Sequence, residues 1–222
     1  LMIRRPPRST PLFRRQRQMC IRDRCLTMKP KFLILFLITV LVLTAALFRA
    51  HSTAAYVTCC KWATNHASYK YGPTLPSSFY RATDDGANQW TKAEASWYWV
   101  VNAPDSNNWI LYGPVDMQGE ALANTTRWMS QPSNTIVKIE MKYDSAENWY
   151  TGIKAPAINQ ADARSVAAHE FGHALGLKHT QSIPHCPGGS LAATMCRSLS
   201  YGSKHFRTLE ADDRNGVYIL YP

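Results

Sequence analysis

Acidic residues are nearly absent from one part of this chain and in excess nowhere. The first 54 residues hold a single one, Asp23, against 11 basic residues. Beyond residue 54 neither sign dominates: 25 − 11 leaves 14 Lys and Arg, and 15 − 1 leaves 14 Asp and Glu. The formal charge of +10 therefore belongs to the N-terminal segment and gives no ground for nucleic-acid binding by the rest. Cysteine is scarce as well. With Cys20 and Cys25 set aside as part of that segment, only Cys59, Cys60, Cys186 and Cys196 remain. Four cysteines are an even number, which in an exported domain favours disulfides, with three connectivities open. Cys186 and Cys196 bracket a short loop and are the favoured bridge. Adjacent Cys59 and Cys60 are not expected to pair with each other, and their role is open.

The segment before residue 55 reads as targeting and not as fold. Met28-Lys29-Pro30-Lys31 is a basic start, residues 32–48 form an uncharged apolar run, and small residues follow at Ser52, Thr53, Ala54 and Ala55. That order is a secretory signal peptide over residues 28–54, with cleavage near Ala54 or Ala55. The run is at the short limit for a membrane span, so an uncleaved anchor through 32–48 is the alternative. Both readings put the remainder outside the cytoplasm. Residues 1–27 carry eight arginines without apolar periodicity. They read as translated adapter-like sequence, a non-native tail ahead of a true start at Met28. Residues 55–222 suit one domain with a single core, expected to be monomeric.

One stretch carries chemistry. His-Glu-Phe-Gly-His-Ala-Leu-Gly-Leu-Lys-His spans residues 169–179. On a helix, His169 and His173 stand one turn apart on one face, so two imidazoles converge. Glu170 is adjacent to the first and can reach a metal-bound water without ligating the metal. Gly176 suits a left-handed helix end, and the turn brings His179 round as a third ligand. Three ligands with one open position are what a catalytic zinc requires, whereas a structural zinc is closed by four. Chance assembly of the whole pattern is on the order of 10⁻⁵ for this composition, which argues against incidental histidines on a buried helix.

The motif resembles that of the matrixin branch of the metzincins. Ala193-Thr194-Met195 is similar to their methionine turn, and residues 209–221 are similar to their closing helix, with its Asp-Asp pair. A weaker likeness reaches upstream to about Tyr69. The resemblance implies an α+β zinc protease domain, a twisted mixed β-sheet with two long helices and a small C-terminal subdomain. It implies His169, His173 and His179 as zinc ligands, Glu170 as general base and Met195 as an apolar floor beneath the imidazoles. It also implies an extended protein or peptide substrate along a cleft-edge strand near residues 119–126. Asp212 and Asp213 are expected either to anchor an ammonium freed by signal cleavage or to start a helix. The chain departs from the family where Met195 follows His179 at +16 and where Cys196-Arg197 replaces Tyr-Pro. No cysteine pro-segment and no His/Asp cluster for a second zinc is found, and a Ca²⁺ ion is supported by no residue pattern.

Patterning supplies the remaining elements. Strands are expected at residues 69–71, 95–101, 109–115 and 135–143, and helices over 79–93 and from an Asn159 or Asp162 cap to about Leu177. The tryptophans are expected mainly in the core, a carbohydrate-binding platform being the alternative. His66, His185 and His205 read as surface or loop histidines. The function so expected is a secreted zinc endopeptidase, with a zinc-stabilised adhesion or glycan-binding module as the competing class.

Overall fold

The computed structural model describes residues 56–116, 121–180, 186 and 193–222. The tail, the signal segment, His185 and residues 119–120 of the expected edge strand lie outside the described residues. Among the described residues no helix is long and apolar enough to cross a membrane.

The sheet is built on β8, Thr135–Asp144. Ile136, Ile139, Met141 and Tyr143 point inward and are buried, while the residues between them face outward. Along one side of β8 runs β7, Ala123–Ser130, antiparallel, with a register shift at Trp128/Met129. Along the other side β6, Trp109–Gly113, and β2, Lys61–Trp62, pair in parallel with its two ends. Strand β4, Lys70–Tyr71, joins β6 in parallel. The sheet is therefore mixed, and β7 is its antiparallel edge among the described residues.

Among the described residues there are also three two-stranded pairs. β1, Val57–Thr58, lies antiparallel to β11, Leu177–Lys178. β3, His66–Ser68, lies parallel to β5, Tyr98–Val100, and β9, Trp149–Tyr150, lies parallel to β10, Ala161–Asp162. The strand expected over 95–101 is reduced to three residues because Glu94 and Asn102 take positive φ, turning the chain at both ends.

Helix α1, Tyr80–Thr91, buries Ala82, Thr83, Gly86, Ala87 and Trp90 against α2, Ala163–Leu175. The crossing is close: a Cβ on Gly86 would stand 2.4 Å from the Ala167 Cβ. At that crossing the indole of Trp90 donates to Ala168 O at 2.7 Å. Helix α2 is buried nearly all round and lies in the interior, its polar Arg164, Ser165 and Glu170 included. Helix α3, Ala211–Leu220, closes the domain. With mixed sheets and three α-helices among the described residues, the architecture is α+β, as expected.

The tryptophan expectation holds for Trp62, Trp90, Trp97 and Trp99, all buried; Trp99 meets Tyr69 and Phe171 and is flanked by Trp62 and Trp97. It fails for Trp128, which stands on the outer sheet face under the Lys138 ammonium. The cysteine expectation is half corrected. Cys186 and Cys196 are bridged, with S–S 2.03 Å and Cα–Cα 5.6 Å. Contrary to the sequence argument, Cys59 and Cys60 are also joined, as neighbours with Cα–Cα 3.8 Å. The local backbone is held at the C-terminal turn of α2: Cys59 N donates to Gly176 O at 2.9 Å, and the Cys60 carbonyl lies close against Gly176.

Candidate metal centre

Asp162 starts the helix that bears the motif. Its carboxylate accepts Ser165 N at 3.0 Å and Ser165 Oγ at 2.7 Å, and it is itself gripped by the guanidinium of Arg207. At the other end Gly176 adopts φ 111°, where a Cβ would lie 2.0 Å from Cys60 O. The position therefore demands glycine on two counts.

The carbonyls of the last turn are all satisfied, as a buried helix end requires. Gly176 N donates to Gly172 O and His173 O, and Arg127 Nη1 adds a second donor to His173 O at 2.5 Å. Trp62 Nε1 donates to Ala174 O at 2.9 Å, and the Tyr221 hydroxyl donates to Leu175 O at 2.8 Å. Rigid at both ends, the helix presents His169 and His173 side by side.

Strand β11 then brings His179 back across them. Its Nε2 lies 3.1 Å from His169 Nε2 and 3.1 Å from His173 Nε2. Among the described residues these three form the one group of His, Cys, Asp or Glu side chains able to hold a metal ion. Two tautomers follow from the surroundings. His169 Nδ1 donates to Thr194 O at 2.7 Å, and His173 Nδ1 donates to Leu177 O at 2.9 Å. Their Nε2 atoms therefore carry lone pairs aimed inward. Lone pairs converging at 3.1 Å suit a shared cation, since the edge of a tetrahedron with Zn–N of about 2.0 Å is about 3.3 Å. The residues present fit zinc. Burial first, then the neighbouring His169, lowers His173 to about 2 and His179 to about 4, so both rings stay neutral and able to ligate.

Glu170 lies beside the three rings, only 5% exposed. Burial raises its carboxyl above the usual carboxylate range, opposed by His169, by the Thr125 hydroxyl and by Arg127. Thr125 Oγ1 donates to Glu170 Oε2 at 2.6 Å.

Met195 is buried against the zinc helix, at a place where a Cβ on Gly172 would stand 2.2 Å from its sulfur. Asp213 holds this segment from α3, accepting Thr194 N at 2.8 Å and Met195 N at 3.1 Å. It also accepts Glu210 N at 2.9 Å in a capping box. Its neighbour Asp212 accepts Tyr56 N at 3.3 Å. Asp213 thus takes part in the helix start foreseen for the pair, whereas the donor to Asp212 is a backbone N–H.

The site opens into a cleft of about 780 Å³. Its upper edge is β7, through Ala123, Thr125 and Arg127, and its far wall includes Arg197, Leu199 and Phe206. His66 is exposed and stacks on Tyr98, and His205 begins a short 3₁₀ helix beside Ser203, neither belonging to the ligand group. Thr125, Arg127 and the anchoring part of Asp213 were not foreseen. The alternation of β7 was the available signal for the first two, since it places Ala123, Thr125 and Arg127 on one face.

A family model described as matrixin matches residues 106–222. The chain is 37% identical over 82 residues to stromelysin-3 of Rattus norvegicus, covering 37% of this chain and 14% of that protein. It is 26% identical over 174 residues to matrix metalloproteinase-20 of Homo sapiens, covering 72% of this chain and 32% of that protein. The stromelysin-3 of Mus musculus is 37% identical over 83 residues, again 14% of its length. The chain spans a third or less of these relatives. Matrixins use a catalytic zinc ion, and the histidine group here is consistent with one. By the match over more than half its length, this chain belongs to the matrixin family.

Proposed function

We propose that this chain is an exported zinc-dependent endopeptidase that cuts extended protein or peptide substrates outside the cytoplasm. The reading is carried by three Nε2 atoms converging beside a buried carboxylate, at the floor of an open cleft. His169, His173 and His179 hold the metal, and Gly176 turns the chain so that the third can reach. Met195 supplies the apolar floor, as in a methionine turn, within a small C-terminal subdomain that follows His179. The match to the matrixin model over residues 106–222 supports the reading at the level of a zinc-dependent endopeptidase.

Zinc bound there supplies a Lewis acid for the scissile carbonyl and brings the pKa of its water towards ~7. The protein contributes orientation and proton transfer. Strand β7 pairs with β8 on one side, and its other edge lines the cleft, so an extended peptide can add to it by main-chain hydrogen bonds. Glu170 takes the proton of the attacking water as its oxygen adds to the carbonyl carbon. It then returns that proton to the departing amine as the C–N bond breaks. His169 Nδ1 and His173 Nδ1, fixed on carbonyls, keep their rings aimed throughout.

Cleavage of casein or a peptide library by the zinc-loaded chain tests the reading. Glu170→Ala is expected to lower kcat/KM by roughly 10²–10⁴-fold while zinc stays bound. Zinc-loaded wild type that cleaves no unfolded protein and no library peptide would leave the binding-module reading in its place.

A further inference from the structure

Strand β7 offers more than its main chain to the cleft. Thr125 and Arg127 sit two residues apart on its inward face, and both reach helix α2. Arg127 donates to His173 O at 2.5 Å and to Leu177 O at 3.3 Å, the carbonyl that also receives His173 Nδ1. Those bonds fix the strand against the helix end. Within that frame the Thr125 hydroxyl, half-buried, meets the Glu170 carboxylate at 2.6 Å.

The geometry of this contact distinguishes the two carboxylate oxygens. Among the described residues Thr125 is the only hydrogen-bond partner of the Glu170 side chain, and it engages Oε2 alone. The hydroxyl proton can serve one acceptor. The 2.6 Å contact to Oε2 takes it in preference to the 3.3 Å contact to Glu170 O. A glutamate side chain has three rotatable bonds, the last of them broad and roughly two-fold. A base must stand within about 2.6–3.2 Å of the proton it removes.

We infer that Thr125 is a positioning residue for the general base. Its hydroxyl holds Oε2 of Glu170, so that Oε1 is the oxygen presented to the attacking water. The inference rests on the endopeptidase reading, with Glu170 as base. In this role the Thr125 hydroxyl acts only through Glu170.

Steady-state kinetics on a fluorogenic peptide test it, with wild type, Thr125→Ser and Thr125→Val compared as zinc-loaded proteins. Zinc stoichiometry and Tm are measured on each. Valine keeps the branched shape of threonine on the strand and removes only the hydroxyl. Thr125→Val is expected to lose about 10- to 100-fold in kcat, the usual range for a residue supporting a metal site. KM, zinc content and Tm should stay near the wild-type values. Thr125→Ser should keep most of the wild-type kcat, because the donor is restored. Wild-type kcat in a folded, zinc-replete Thr125→Val overturns the inference. Should that variant bind zinc poorly or melt early, Thr125→Ala and Thr125→Ser decide: equal kcat in the two, both zinc-replete, also overturns it. Failure of wild type to cleave at all would strike the endopeptidase reading instead, so the two outcomes are separable.

Discussion

His173 and His179 are neutral for a physical reason that makes the site ready for metal and sensitive to acid. Burial, then the adjacent His169, holds them at about 2 and about 4, below the ordinary value of 6.5. An imidazole with a depressed folded pKa binds fewer protons folded than unfolded between those two values. Stability from its neutral form is complete above about 6.5 and is lost as pH falls through the folded value. The urea midpoint of metal-stripped protein should therefore fall steadily from pH 7 to pH 4. His179→Asn should flatten part of that slope by removing one of the titrating groups. Identical slopes for wild type and variant would show that His179 does not carry the effect. Glu170 has the opposite tendency, since burial raises it, and its carboxylate is sustained by His169, Thr125 and Arg127.

Elements differ in how far their making is local, and that decides what could be read beforehand. Helix α2 was legible from its cap to its glycine because Asp162, the i and i+4 histidines and Gly176 act within one segment. The sheet was legible as strands, but not that β8 carries β7 on one side and both β6 and β2 on the other. The partner of Glu170 was not legible at all: Thr125 is 45 residues away, and only strand pairing brings it near. The disulfide between Cys59 and Cys60 ran against the argument from adjacency. Helix α3 shows the same dependence. Its Asp213 caps its own helix and also fixes Thr194 and Met195, while burial raises its carboxyl against the pull of those N–H donors. Asp213→Ala removes a buried carboxylate and orphans three backbone donors, so a loss of ~3 kcal/mol is expected in urea unfolding. Zinc affinity should fall with it, because Thr194 O orients His169. A variant as stable as wild type, with unchanged zinc affinity, would make the aspartate merely a cap.

At the scale of the whole domain, the zinc site is closed by two kinds of tether around one loop. Thr180 N donates to Met195 O at 2.9 Å, so the residue after the third histidine is bonded to the methionine segment directly. Next to that bond, Cys196 is joined to Cys186 across ten positions. The backbone bond secures the histidines, whereas the disulfide secures the segment leading to Arg197 and Leu199 on the cleft wall. Loss of the disulfide should therefore affect stability and substrate binding before it affects metal binding. In the chain-entropy view a loop of this length contributes roughly 2–3 kcal/mol. The double variant Cys186→Ser/Cys196→Ser isolates this bridge, which a reductant would not, since Cys59 and Cys60 are also joined. It should unfold at lower urea by about that amount, bind zinc one to one, and show a raised KM with kcat little changed. A variant that keeps its KM but loses zinc would reverse the assignment, and the disulfide would then be the tether of the metal rather than of the cleft wall.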